Sequence, residues 1–320
     1  MKKKIVCLFG FALTVLVILF QAGPTAKIDA KLKPVNLPKD LDQYLKQSEA
    51  RFSDIVPGAE KTIIWANAAK TRTPLSIVYL HGYSATRQET APLCDQVATR
   101  LGANLVYTRL TGHGRCGPAM AEPTVNDWLN DAAEALEIGK RIGEKVIVIG
   151  TSTGGTLATW LAVQPNTEAV AAYVLISPNF GPKEVMSEIL AWPWGEQLAE
   201  LIVGPEFSWA PANEQQARYW TCRYPSKALV PMMGLVRFVR ESRLENIQTP
   251  VLIIYSPNDQ VIDVQEVESA YARFGTRVKA LIPIIHTVNH TNHVLAGNIL
   301  APENTASVAK LILDFVAPLQ

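Results

Sequence analysis

Lys145-Val-Ile-Val-Ile-Gly150-Thr-Ser152-Thr-Gly154-Gly155-Thr-Leu-Ala-Thr-Trp-Leu-Ala162 is the stretch whose reading decides the fold. Its first residues form an apolar, β-branched run that predicts a strand, and from Gly155 onward the residues have helical character. Between them stands Gly-Thr-Ser-Thr-Gly, a G-x-S-x-G pattern set in a strand-to-helix turn. A strand that turns at once into a helix forces the central residue into a strained backbone conformation, and small neighbours let the two elements close up. The serine hydroxyl is then lifted above the sheet edge, over a helix N-terminus that favours developing negative charge. Ser152 is therefore the candidate nucleophile. The competing reading is a chance Gly/Ser loop, which the flanking strand and helix argue against.

Working outward, strand-like runs appear at Leu75–Leu80, Asn104–Thr108, Val146–Ile149, Val170–Ile176, Val251–Tyr255 and Val278–Ile285. Helical stretches lie between most of them, at Gln88–Leu101, Asn126–Ile142, Gly155–Val163, Val264–Phe274 and Thr305–Val316. This alternation predicts an α/β fold, a mostly parallel sheet with helices on both faces. The rhythm breaks over residues 178–249, which show no convincing strand and hold Trp192, Trp194, Trp209 and Trp220, four of the chain's seven tryptophans. A stretch this long and aromatic predicts a helical cap, inserted after the sixth core strand. The core is then 60–177 and 250–320, preceded by a linker and lead-in segment over 27–59.

With 320 residues and 48% hydrophobic content, the chain can bury a sizeable core. Outside residues 1–26 the balance is 27 Lys+Arg against 29 Asp+Glu, which gives no sign of a nucleic-acid surface. Residues 1–26 look like a targeting segment: Lys2, Lys3 and Lys4 precede Ile5–Phe20, an apolar run broken only by Thr14. Its length lies between a signal-peptide core and a membrane span, and no clean small-x-small cleavage site follows. Both a cleaved signal and a retained anchor fit. Either places the rest of the chain outside the cytoplasm, periplasmic or extracellular, because the positive flank tends to stay inside. Beyond that segment stand Cys94, Cys116 and Cys222; Cys94 reads as a core residue, and a bridge between Cys116 and Cys222 is an open alternative.

A serine nucleophile needs a base, an orienting acid and an oxyanion site, and after an elbow the acid and base follow in the order Asp or Glu, then His. Past the strand that succeeds the cap runs Ser256-Pro-Asn-Asp259-Gln-Val-Ile-Asp263. Asp259 sits at the strand end and is the candidate acid, whereas Asp263 reads as the cap of the next helix. Three of the five histidines, His286, His290 and His293, crowd after the last strand. His286 reads as part of that strand; His293, followed by Val294-Leu295, is preferred over His290 as base. Their spacing is not that of a metal site. The oxyanion donors expected are the backbone N–H groups of Thr153, directly after the nucleophile, and of Tyr83 in Leu80-His-Gly-Tyr83. His81 reads as a hydrogen bonder that orients this loop, and Gly112-His113-Gly114 as a tight turn.

The segments Leu80-His-Gly-Tyr83, Arg109-Leu-Thr-Gly-His-Gly114, Gly150-Thr-Ser-Thr-Gly154, Ser256-Pro-Asn-Asp259-Gln-Val-Ile and Asn292-His293-Val-Leu, taken in order, resemble the α/β-hydrolase superfamily. The likeness is greatest to the serine-hydrolase branch of monoacylglycerol lipases and bacterial carboxylesterases, and it covers about residues 60 to 317. It implies nucleophile Ser152, acid Asp259, base His293, oxyanion donors Tyr83 and Thr153, and a small ester or lipid substrate, with no cofactor and no metal. The threonines flanking Ser152 and the tyrosine at position 83 depart from the usual pattern and leave substrate choice open. Two rivals remain: a peptidase or amidase on the same scaffold, and an exported binding module without catalysis.

Overall fold

The structure is a computed structural model describing residues 13–26, 28–165 and 167–319. The chain runs in the order α1 (13–21), α2 (Leu41–Glu49), β1 (Thr62–Ile64), β2 (Thr73–Leu80), α3 (Leu93–Leu101), β3 (Asn104–Tyr107), α4 (Val125–Ile142), β4 (Gly143–Thr151), α5 (Thr153–Ala162) and β5 (Val170–Ile176). It continues through α6 (Gly195–Val203), β6 (Glu206–Ser208), α7 (Glu214–Tyr219), β7 (Arg223–Pro225) and α8 (Leu229–Arg240). It closes with β8 (Val251–Tyr255), α9 (Val264–Arg273), β9 (Lys279–Pro283) and α10 (Thr305–Val316).

Seven strands form one sheet in the order β1-β3-β2-β4-β5-β8-β9, parallel except for the antiparallel edge strand β1. Side chains alternate between faces along a strand, so a strand covered on both sides must be apolar throughout. In β4, Val146 and Val148 pack on one face with α4, α5 and α8, while Ile147 and Ile149 pack on the other with α3 and α10. All four are fully buried, each side chain stabilising the fold by roughly 1.5–3 kcal/mol. This is the α/β-hydrolase arrangement that the motifs implied.

The sheet also fixes where a site can form. Its strand order reverses at β2, which has β3 on one side and β4 on the other, and crevices open at the carboxyl ends of strands at such a switch. Leu80 at the end of β2 is in register with Gly150 near the end of β4. The His81-Gly82 turn and the Ser152 turn thus emerge side by side.

Several local expectations change. The strand β1 and the β6–β7 pair, three residues each, are too short to show a period, so the cap carries a small antiparallel ladder besides its helices. The cap follows β5, the fifth strand in chain order, rather than a sixth. The helix expected over Gln88–Leu101 begins only at Leu93, since Pro92 pushes the preceding residue away from helical geometry; Arg87–Glu89 form a separate 3₁₀ turn. The last strand stops at Pro283, leaving His286 exposed beyond it. The segment 27–59 is more than a linker: Asp40 caps α2, whose Leu41 and Leu45 join the core. Cys94, Cys116 and Cys222 are free thiols, and no bridge joins Cys116 to Cys222. The Cys222 Sγ is turned to the Trp220 carbonyl.

Of the targeting segment, residues 1–12, including Lys2–Lys4 and Cys7, lie outside the described residues. Among the described residues no helix is long and apolar enough to cross a membrane.

Candidate active site

Ser152 links the end of β4 to α5 with φ 52° and ψ −119°, a conformation that costs a non-glycine residue of order 1–3 kcal/mol. Its neighbours explain how that strain is held. A Cβ at Gly154 would stand 2.0 Å from the Leu80 carbonyl oxygen, and one at Gly150 would stand 2.3 Å from the Gly154 oxygen. Only hydrogen fits at either place. The Ser152 N–H donates to Ile176 of β5 at 2.9 Å, and its carbonyl accepts from Gly155 and Asn179 at 2.8 and 3.0 Å. The turn is therefore bolted to the sheet on both sides, and the first residues of α5 point their N–H groups toward it.

The second half of the site comes from the far end of the sheet. Asp259 follows β8, and its Oδ1 accepts from the N–H groups of Val261 and Ile262 at 2.8 and 3.1 Å. Its Oδ2 meets Nδ1 of His293 at 2.8 Å. Burial alone would lower the His293 pKa, but the Asp259 charge and hydrogen bond, joined by the charge of Glu89, outweigh it and raise the value. Ser152, Asp259 and His293 are all buried. His286 and His290 are exposed and do not reach this carboxylate. Asp263 instead caps α9, accepting from Gln265 N–H at 2.9 Å.

The loop after β2 is clamped from two directions. Nε2 of His81 accepts from the Leu110 N–H at 3.0 Å, so Nδ1 carries the proton and donates to the Gly82 carbonyl at 2.9 Å. Burial pushes this ring's pKa down to about 4, which keeps it neutral. In a trans peptide the carbonyl and the next N–H point in opposite directions. With the Gly82 carbonyl held by His81, the Tyr83 N–H faces away from that ring. The Tyr83 side chain rises into the cap and donates its hydroxyl to the Ala228 carbonyl at 2.8 Å. The Thr221 N–H donates to Ser84 at 2.7 Å, so the cap is fastened to this loop at two points.

Gly112-His113-Gly114 is a tight turn, with φ of 84° and 64° at its glycines, and the buried His113 ring packs against His81, Tyr83 and Trp128. Beneath it Arg109 donates to both oxygens of Glu49 at 2.7 and 2.9 Å, and to the His113 carbonyl at 3.0 Å. Both partners are buried, which ties the turn to α2.

Some neighbours carried no sequence signal. Asn179, right after β5, donates its Nδ2 to Sδ of Met232 at 3.5 Å, placing that methionine of α8 one residue from the Ser152 turn. Trp192 and Trp194 instead face outward, whereas Trp220 is buried against Ala85, Val294 and Leu300. Among the described residues no group of three or more His, Cys, Asp or Glu could hold a metal ion.

The profile of the family described as serine aminopeptidase, S33, matches residues 72–294. The chain is 32% identical over 213 residues to the thermostable monoacylglycerol lipase of Bacillus sp. (strain H-257), covering 65% of this chain and 80% of that protein. Among solved structures, the metagenome-derived lipolytic enzymes LipS and LipT give a match with TM-score 0.66 at 22% identity, over 82% of this chain and 99% of theirs. A soluble variant of monoglyceride lipase from Saccharomyces cerevisiae, in complex with a substrate analog, gives 0.62 at 12% identity, over 82% and 91%. At such identities these two likenesses speak for the fold.

Proposed function

The chain belongs to the serine aminopeptidase S33 family of α/β hydrolases, and from that premise we propose that it cleaves carboxylic esters through an acyl-enzyme on Ser152. It is a lipase- or esterase-like hydrolase; the triad and the substrate are our reading. The observation that carries it is the buried His293–Asp259 hydrogen bond of 2.8 Å, formed at the same sheet edge as a strained serine turn. His293 takes the Ser152 proton as the hydroxyl oxygen attacks the ester carbonyl, and Asp259 stabilises the imidazolium. The Tyr83 and Thr153 N–H groups receive the oxyanion; losing one such donor typically costs about 3–4 kcal/mol of transition-state stabilisation. The alcohol leaves with the proton from His293, and water, activated by the same ring, releases the acid.

The substrate class follows from the cap. Met232 meets Asn179, which bonds to the Ser152 turn, and Trp220 packs in one cluster with Val294, next to His293. The acyl chain is proposed to lie against such apolar cap residues, with short- to medium-chain or monoacylglycerol-like esters preferred. The experiment is hydrolysis of p-nitrophenyl esters by the wild type and by Ser152→Ala. Turnover should vanish in the variant with the fold retained, and near-normal turnover would refute the assignment. The family's description also keeps a peptidase or amidase in view. Rates on a matched ester and anilide decide between them, and a faster anilide would reverse the reading.

Export is proposed as well. Residues 13–20 of α1 expose Leu13, Val15, Leu16, Val17, Ile18, Leu19 and Phe20, an apolar surface on every side that water does not favour. The Phe20 ring stacks edge-on against Trp192, and Trp194 donates to the carbonyls of Phe20 and Pro24, so the end of the segment lies on the cap. Its retention as a membrane anchor is proposed on its apolar surface. Fractionation with intact mass tests this: a membrane-bound, full-length protein is expected, and a cytoplasmic one refutes export.

A further inference from the structure

A second carboxylate stands behind the oxyanion loop. Glu89 is buried, in the 3₁₀ turn that follows Tyr83 by a few residues. Its Oε1 accepts from the Gly82 N–H at 2.7 Å and from the Tyr79 hydroxyl at 2.8 Å. Its Oε2 and the Ser152 turn both border Gly82: a Cβ built on that glycine would lie 3.0 Å from the oxygen and 3.1 Å from Cβ of Ser152. Gly82 thus has the Glu89 carboxylate and the serine turn as close neighbours, and a side chain there would meet both. The reading of His293 as base gives Glu89 no task, yet an unneeded carboxylate in such a place is costly to bury.

We propose that Glu89 is a positioning residue of the site, acting on both halves of it. Through the Gly82 N–H it holds the loop that presents Tyr83, and it sets a second negative charge, beside that of Asp259, on the side of His293. The inference rests on His293 being the base. When His293 takes the serine proton, ionised Glu89 stabilises the imidazolium that forms. The groups facing Glu89 are Tyr79 of β2, Cys94 of α3 and His293; those facing His293 are Asp259 and Glu89. Burial pushes the Glu89 carboxyl up to about 7, against the pull of the Gly82 N–H, the Tyr79 hydroxyl and His293. A carboxyl raised above its unfolded value destabilises the fold as pH rises through that interval, so the residue is held at a cost to stability near and above neutrality.

The test is the pH profile of kcat/KM on p-nitrophenyl butyrate for wild type, Glu89→Gln and Glu89→Asp. Gln keeps an acceptor for Gly82 and Tyr79 but removes the charge. Its acid limb should move down by roughly half to one pH unit, because His293 loses a charge that favours its proton. Its kcat should fall about tenfold with KM changed less than twofold. Asp keeps the charge and withdraws the clamp, so its acid limb should stay in place while kcat falls. The Tm of Glu89→Gln relative to wild type should rise from pH 5 to pH 8. An acid limb of Glu89→Gln in the wild-type position would overturn the proposal whatever the turnover, as would a limb shifted equally in both variants. Loss of activity in Ser152→Ala alongside either result keeps the triad reading separate from this one.

Discussion

The floor of the site and its roof are built by different rules. In the floor, every residue of α5 is buried, the Ser152 turn bonds to β5 and the segment beyond it, and two glycines sit where no side chain fits. In the roof, short elements alternate with turns, and Val185, Met186, Leu201 and Ile202 stand more than half exposed, at 74%, 59%, 81% and 52%. Polar ties join the roof to the floor, among them Tyr83 to Ala228, Thr221 to Ser84, Lys183 to Val261 and Arg240 to Glu266. A floor of this kind tolerates almost no change and fixes chemistry. A roof of this kind can vary its side chains and choose what enters.

The contrast can be broken at its strongest point first. Gly154→Ala drives a methyl into the Leu80 carbonyl with no flexible neighbour to yield, so a loss of more than about 4 kcal/mol is expected in denaturant melts. Trp192→Ala on the roof should cost far less. Comparable losses would erase the distinction.

Next in size, His293→Ala should lower kcat/KM on a p-nitrophenyl ester about 10⁴-fold, while His290→Ala, exposed and away from Asp259, should retain most activity. The neutral imidazole is the base, and the His293 pKa is raised, so wild-type activity should fall away as pH drops through a value above the ordinary 6.5. An acid limb below 6.5 would contradict the geometry around Asp259 and Glu89.

Glu49→Gln removes one partner of a buried pair and leaves Arg109 charged beneath the Gly112-His113-Gly114 turn. A cost of about 3–5 kcal/mol in urea unfolding is expected. A neutral outcome would mean that α2 does not brace the site.

The smallest effects belong to the roof. Across p-nitrophenyl esters of increasing length, each methylene buried should add up to about 0.8 kcal/mol until the pocket fills. Met232→Ala or Trp220→Ala should shift the preferred length, and Trp192→Ala should not, since that ring faces Phe20. A profile flat with length in all three would remove the cap from substrate choice.

Much of the floor was legible in the sequence because its physics is local. The run Val146–Ile149 reads as a buried strand, and Gly150-Thr-Ser-Thr-Gly154 carries its own steric reason. Asp259 could be ranked over Asp263 by its place at a strand end, and His293 over His290 by the Val294-Leu295 that follows it; the structure brings Asp259 and His293 together at 2.8 Å. What stayed hidden depends on contacts distant in sequence or on elements too short to show a period. Glu89 has no motif, and its meaning comes from Gly82 and His293. Glu49 and Arg109 lie sixty positions apart. Strands of three residues gave the cap no β signature, and nothing in four clustered tryptophans told which would face out.

The central claim is that Ser152 is the nucleophile of an ester hydrolase, and covalent labelling tests it most directly. The native protein is treated with a fluorophosphonate probe and digested, and the modified peptide is identified by mass. The account predicts a single adduct on the peptide carrying Gly150-Thr-Ser152-Thr-Gly154, absent in Ser152→Ala and slowed in His293→Ala. No adduct on the active, folded protein, or one on a different serine, would contradict it.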